Sequence, residues 1–317
     1  MGAPRFGVLD LHGFSTPLGP MSLAEKLEAW GYEAFWVPDV FSYTVPDPFV
    51  MLAAAAQRTR RLRLGTNVTA LPFRSPFQLA KLAASVDVVS GGRLDLGVGI
   101  GLVPEEFALE QIDKKRRAPI SDEYLEIVRG LLHEAKVRHA GPRYAFEDFT
   151  LEPRPVQRSL PIYVGAVWGG DVVPGVVRRA ASLGDGFIPG RTPPENYREY
   201  REKILEHADG AGRDLGSFRW AVTAWTCLDP SRERALETIR SVMLGEVSVN
   251  ANAGSDSGLL LNLDSFISGS VGECIEQIER YMSAGVDEFS LCFGCPVEQS
   301  LEQYEQFAKE VLPHFRG

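Results

Sequence analysis

The stretch Ser90-Gly91-Gly92-Arg93-Leu94-Asp95-Leu96-Gly97-Val98-Gly99-Ile100-Gly101 decides the fold. It reads as a turn, a short apolar strand, and then glycine at every second position where the strand should end. Successive side chains of a strand point to opposite faces, so this spacing strips one face of side chains. It also lets the backbone take positive φ without strain. On spacing alone two readings stand: a tight barrel corner, or backbone left bare for a flat ligand.

Upstream of this stretch the same unit recurs three times. Phe6–Leu11, Ala34–Asp39 and Leu62–Val68 read as short buried strands, and Leu23–Trp30, Phe49–Arg60 and Pro76–Val89 as the helices that follow them. Leu23, Leu27 and Trp30 recur at helical spacing, and Gly31 ends that helix. Asp47-Pro48 offers a capping carboxylate and a first-turn proline to the second. Downstream, strand four at Leu94–Gly99 is followed by a helix at Glu123–Leu132 and a small hairpin insertion at Tyr144–Glu152. Strands five to eight fall at Pro161–Gly165, Gly186–Pro189, Arg219–Leu228 and Glu288–Phe293. Helices are expected at Val172–Leu183, Asn196–Ala208, Glu233–Leu244, Glu273–Ala284 and Leu301–Leu312.

Strand-then-helix units with short loops imply parallel strands and right-handed crossovers. Eight of them in 317 residues predict an α/β fold, a (β/α)8 TIM-type barrel with small insertions rather than an open doubly wound sheet. No Pro/Ser-rich linker divides the chain, so residues 1–317 read as a single domain. The Gly-, Ser- and Asn-rich segment Glu246–Ser268 is too long and aperiodic for a routine connection, and predicts a mobile lid.

Composition narrows the function. A content of 44% apolar and 24% charged residues is that of an ordinary soluble protein. The net charge of −9 argues against a nucleic-acid binder. No apolar run reaches the roughly 20 residues that cross a bilayer, and the first residues lack a signal-peptide apolar region. Four cysteines in a chain of this length make no disulfide framework. The expectation is a cytoplasmic protein acting on a small molecule, with no nucleic-acid or membrane partner.

In a barrel, chemistry sits where strands end. The residues expected there are mostly glycine, aromatic and small polar, with His12 the only histidine; no metal site and no Gly-x-Ser-x-Gly nucleophile turn is predicted. Such a site suits a large planar cofactor that brings its own chemistry. His12 is the candidate proton carrier and Tyr43 a second one. Phe14, Trp168 and Trp225 are candidates for the substrate pocket wall. Cys292-Phe-Gly-Cys295 reads as two inert thiols rather than a redox pair. Asp113–Arg117 reads as a solvated charge run, with a grip on an anionic cofactor tail as the alternative role of Arg117.

The block from residue 62 to 101, with Leu64-Gly-Thr66, Leu79-Ala-Lys81 and Ser90–Gly101, resembles the bacterial-luciferase-like oxidoreductases. Ala34–Asp39, Asp47-Pro48, Pro161–Gly165, Gly184–Phe187 and Gly269–Glu273 extend the resemblance to near residue 293. The resemblance implies a TIM-type barrel and one of two cofactors: the deazaflavin coenzyme F420 for hydride transfer, or flavin mononucleotide (FMN) for oxygenation. The few insertions favour F420, as does Ala108 after Phe107, where flavin-using luciferases carry a phosphate-binding arginine. The implied activity is F420H2-dependent hydride transfer to an electron-poor C=C, C=N or C=O bond. A flavin-dependent monooxygenase is the alternative, and a non-catalytic barrel the third reading.

The same resemblance assigns residues. Asn67, Val68 and Thr69 match a strand-three bulge, often with a non-proline cis peptide, that props the cofactor ring. Asp39 matches an acid at the ring's polar edge. Gly99 and Gly101 line the ring, while Gly165, Gly169 and Gly170 precede a helix whose N–H groups face a phosphate. The helices of residues 50–90 are the implied homodimer face. Two departures stand out: Val40 where many relatives carry a histidine, and Leu102 where glucose-phosphate-oxidising relatives carry a glutamate.

Overall fold

A computed structural model of the chain describes residues 2–13, 19–41, 45–167, 170–249 and 262–316, without the side chains of 244–249. In its first part, β1 (Arg5–Leu9), α1 (Gly19–Trp30), β2 (Ala34–Val37), α2 (Pro48–Arg58), β3 (Arg63–Thr66) and β4 (Thr69–Ala70) alternate in order. There follow α3 (Pro76–Ser90), β5 (Leu94–Gly99), α4 (Pro104–Leu109), α5 (Arg117–His133), β6 (Val137–Ala140) and β7 (Ala145–Phe149). The second part runs β8 (Ile162–Val167), α6 (Pro174–Leu183), β9 (Gly186–Gly190), α7 (Pro194–Gly210) and β10 (Arg219–Leu228). It closes with α8 (Arg232–Val249), β11 (Ile267–Gly269), α9 (Val271–Ser283), β12 (Glu288–Phe293), α10 (Ser300–Glu310) and α11 (Leu312–Arg316).

Local chemistry explains the boundaries. Asp47 caps α2 by accepting from Phe49 and Val50 N–H, with Pro48 in the first turn. Gly91 ends α3 in the left-handed conformation, φ 68°. Ser270 and Glu273 form a reciprocal capping box at the start of α9.

The sheet closes on itself in the order β1-β2-β3-β5-β8-β9-β10-β12, with every pairing parallel and β12 returning to β1. This is the expected eight-stranded TIM-type barrel. Phe6, Val8, Phe35, Val37, Leu64, Leu96, Val98, Ile162 and Val164 face outward into the layer shared with the helices. Inward positions are small because two large side chains plug the centre. A Cβ on Gly65 would stand 2.2 Å from the Trp36 ring, and one on Gly7 would stand 2.8 Å from Trp36 Nε1. Gly186 likewise leaves room for Tyr163, and the Trp36 and Tyr163 rings meet edge-on at 5.4 Å. Beneath them, at the strands' N-terminal ends, Arg63 and Arg219 pair with fully buried Asp95, and Arg5 pairs with Glu288. Tyr163 donates to Glu288 at 2.8 Å, so the buried carboxylates in this plug are all partnered.

Three expectations shift. The hairpin starts earlier, at Val137, because its turn lies at Gly141–Tyr144, where Gly141 N–H bonds to Tyr144 C=O. A short helix, α4, precedes α5, and the basic run between them folds as a 3₁₀ turn, Lys114–Arg116, capped by Asp113, with Arg117 opening α5. The stretch 246–268 is not irregular throughout: α8 runs to Val249, Leu263–Ser265 is a 3₁₀ turn, and Ile267–Gly269 pairs with β10. Residues 250–261, the rest of the expected lid, lie outside the described residues. Among the described residues no helix is long and apolar enough to cross a membrane.

Candidate active site

Between Gly65↔Asp95 and Thr69↔Val98 the offset between paired residues of the third and fourth barrel strands drops by one. One extra residue is therefore inserted at Asn67-Val68, whose peptide is cis. A bulge of this kind re-aims side chains, and here it turns two consecutive ones inward. Asn67 Nδ2 donates to Thr223 Oγ1 at 2.8 Å and Ser290 Oγ at 3.0 Å, tying the bulge to β10 and β12 across the barrel. Val68 drops into a hollow bounded by glycines. A Cβ on Gly99 would lie 2.7 Å from its Cγ2, and one on Gly165 would lie 2.8 Å from its Cγ1. Gly97 is tighter still, its Cβ direction meeting Thr66 C=O at 2.0 Å.

The alternating glycines therefore make room for protein atoms. Val68 covers the backbone that spacing alone suggested was bare, and Gly101, at φ 76°, makes room for the Phe107 and Phe73 rings. Thr69 is in register with outward-facing Val98, which turns it toward the helices rather than the mouth. Its buried hydroxyl has no hydrogen-bond partner.

Asp39 lies two residues past the end of the second barrel strand and is 9% exposed. Arg74 grips both its oxygens, Nε to Oδ2 at 2.8 Å and Nη2 to Oδ1 at 2.7 Å, and reaches Asp47 as well. The two carboxylates push the Arg74 guanidinium pKa further up against its desolvation. Asp39 is thus ion-paired and anchors the loop. Beside it, buried Glu106 accepts the Phe41 N–H at 2.7 Å; desolvation first, then Asp39 and Glu105, push its carboxyl up.

His12 lies in the turn after β1, where burial pushes its imidazole pKa below the usual 6.5, against an opposing pull from Glu298. Its backbone N–H and that of Gly13 are held by Asp10 Oδ1. Sequence reading passed over Asp10. The carboxyl is fully buried, Oδ2 is unpartnered, and desolvation raises its pKa from 3.8 to about 6. Its only signal was an acid at a strand end.

Trp225 is buried on the inner face of β10 against Ile239 of α8, with Gly294 leaving space for its ring. Gly170, at φ 105°, precedes α6 by four residues and has open space around it. Near the start of α6, Arg117 donates to Gly101 C=O at 3.1 Å, and Arg179 is bound by Asp122. Burial and the charge of Arg179 both push the Arg117 pKa down, the mark of cations crowded together. Phe14, Tyr43, Trp168 and Gly169 lie outside the described residues. Cys292 and Cys295 are buried and not joined in a disulfide, and desolvation raises Cys295 to about 12. Among the described residues no cluster of His, Cys, Asp or Glu could hold a metal ion.

The model of the luciferase-like monooxygenase family matches residues 20–288. The chain belongs to that family. This luciferase-like protein is 29% identical to 4-hydroxyprotoasukamycin monooxygenase of Streptomyces nodosus subsp. asukaensis, covering 98% of this chain and 93% of the relative. It is 28% identical to an F420-dependent glucose-6-phosphate dehydrogenase of Amycolatopsis mediterranei, over 94% and 96% of the two chains. Among solved structures it is similar to the monooxygenase RslO1 from Streptomyces bottropensis, with a TM-score of 0.83 and 26% identity over 98% and 99% of the chains. Its relatives are oxidoreductases and monooxygenases, with F420-dependent and flavin-dependent members.

Proposed function

We propose that this luciferase-like protein transfers hydride from reduced coenzyme F420 to an electron-poor C=C, C=N or C=O bond of a small organic substrate. The observation that carries the reading is the Val68 isopropyl group, seated at the mouth on Gly97, Gly99 and Gly165 and locked by Asn67. It offers a rigid apolar floor for one face of a planar ring. Around it lie few groups able to carry out chemistry, which fits a cofactor whose ring carbon supplies the hydride.

The rest of the chain supports this arrangement. Gly165 and Gly170 lead to α6, and Arg117 with Arg179 would hold the anionic tail there, near the positive end of the helix. Asp39 and Arg74 fix the loop at the ring's edge. His12, neutral near pH 7 because of its burial, exchanges the substrate's proton with water. F420 is preferred to FMN because Ala108 follows Phe107 in α4, where flavin-using luciferases carry a phosphate-binding arginine. Val50, Leu82, Val88 and Val89, apolar yet exposed on α2 and α3, support a homodimer through that face.

A second reading, an FMN-dependent monooxygenase, is favoured by the likeness to 4-hydroxyprotoasukamycin monooxygenase and to RslO1. Fluorescence titration of the purified protein with F420 and with FMN separates the two. Tight binding of F420 is expected; binding of FMN alone selects the monooxygenase, and binding of neither selects a non-catalytic barrel.

A further inference from the structure

Asn67, on the bulge, gives its amide hydrogens to two hydroxyls, Thr223 Oγ1 at 2.8 Å and Ser290 Oγ at 3.0 Å. Each hydroxyl accepts from Asn67 and still has its own hydrogen to place. Ser290 is fully buried, whereas Thr223 is half-buried. Thr223 alternates with Ala221 and Trp225, which pack inside the barrel, so its side chain points inward as theirs do. Among the described residues nothing accepts the hydrogen of the Thr223 hydroxyl.

The space beside that hydroxyl is open. Gly190 is the register partner of Thr223 on the neighbouring strand. A Cβ on Gly190 would meet Thr223 Cβ at 3.9 Å and Ala166 C=O at 4.0 Å, both ordinary contacts. Gly99 and Gly165, by contrast, are filled by Val68, so a ligand atom has room at Gly190. The surrounding charges do not oppose an electron-rich atom there. Arg219 and Glu288, lower on the same strands, are tied to Asp95, Arg5 and Tyr163. Asp39 is held by Arg74, and Arg191, which follows Gly190 at φ 55°, is a cation.

We propose that the Thr223 hydroxyl, aimed by Asn67, donates to the reacting oxygen of the substrate, and that the bond reduced is therefore a ketone C=O rather than a C=C. The proposal rests on the hydride-transfer reading and narrows it. As hydride adds to the carbonyl carbon, the π pair of the C=O bond moves to oxygen. Thr223 donates to that growing negative charge, which a preorganised donor stabilises more than it stabilises the ground state. The oxygen then takes one proton from water, and hydride plus proton complete the two-electron reduction to the alcohol, with the reduced cofactor as the reductant. Val40 and Leu102, on the loops after strands two and four, bring no donor of their own.

The test uses two probes of one shape, acetophenone and 2-phenylpropene, in which CH2 replaces the carbonyl oxygen. Each is titrated calorimetrically into the purified full chain, with and without oxidised F420. The ketone is expected to bind about five- to tenfold tighter than the alkene. Thr223→Val should erase that margin and leave the alkene within about twofold of its parent value, while Thr223→Ser restores the margin. Gly190→Leu, which fills the space, should weaken both probes; circular dichroism checks the fold of every variant. Absence of ketone binding, equal binding of the two probes by the parent, or a Thr223→Val that weakens both alike overturns the proposal, the last because it marks a purely structural hold on Asn67. A loss confined to F420 overturns it too, by assigning the hydroxyl to the cofactor. Failure of F420 to bind any form, with the ketone margin intact and erased in Thr223→Val, removes the hydride-transfer reading and leaves the oxygen site; F420 binding without that margin removes the oxygen site alone.

Discussion

Val68 occupies a hollow that Gly165 keeps open: a methyl group on Gly165 would stand 2.8 Å from Val68 Cγ1. Two residues about one hundred positions apart thus share one space, and the floor of the mouth depends on both. Gly165→Ala is expected to push Val68 upward, destabilise the fold by about 1–3 kcal/mol and weaken cofactor binding about tenfold or more. Adding Val68→Ala should recover most of the stability. Chemical denaturation and fluorescence titration of both variants check this; an unchanged Gly165→Ala removes the floor from the argument.

Arg74 holds both oxygens of Asp39, and the pair is mostly buried. Removing the guanidinium leaves a buried carboxylate unpaired, which costs about 3–5 kcal/mol in comparable pairs. Arg74→Ala is expected to lose about that much in urea denaturation. Arg74→Lys should lose less, since one ammonium replaces one arm of the two-armed grip.

Asp10 makes stability depend on pH in the direction opposite to a salt-bridged acid. Its folded pKa, about 6, lies above the ordinary 3.8. The folded protein therefore binds this proton more tightly than the unfolded chain does. The resulting stabilisation, about 3 kcal/mol, is complete below the unfolded value and is lost as pH rises through about 6. In Asp10→Asn this contribution is gone. The difference in Tm between parent and variant should move in the variant's favour by about 3–4 °C between about pH 4 and pH 7. Parallel Tm profiles across that range would contradict the assignment.

Arg117 touches Gly101 C=O and stands near Arg179 without a carboxylate bonded to it among the described residues. If it grips the cofactor's anionic tail, Arg117→Ala should weaken binding of the phosphate-bearing cofactor about tenfold and flatten its salt dependence. Thermal stability should hold or rise slightly, because a crowded cation is relieved. Full affinity in the variant would return Arg117 to a loop anchor.

The barrel was legible because its signal is periodic and repeated. Leu94–Gly99, Arg219–Leu228 and Glu288–Phe293 agree with the predicted strands to the residue, since each apolar run is bounded by a turn. What could not be read was which atoms the glycines admit. Alternation predicts a stripped face at Gly97 and Gly99, but the occupant, Val68, comes from a neighbouring strand through one inserted residue. Nothing in local sequence fixes that register. Asp39 was visible as an acid at a strand end, but its partner Arg74 lies 35 residues on, so its neutralisation is a tertiary fact. The same holds for Asp10, whose burial depends on packing that a linear pattern does not record.

The first strand pairs with the last, Arg5 beside Glu288 and Phe6 beside Phe289. The Arg5–Glu288 ion pair, the Tyr32 hydroxyl on Tyr304 C=O and Arg316 on Gly31 C=O fasten the two ends of the chain along this seam. During synthesis the barrel has no closed intermediate: seven strands can leave the ribosome and still expose an open edge until β12 arrives. A chain so closed waits on its final tenth before its core is shut, and over that interval its unpaired β1 edge is the surface most in need of protection.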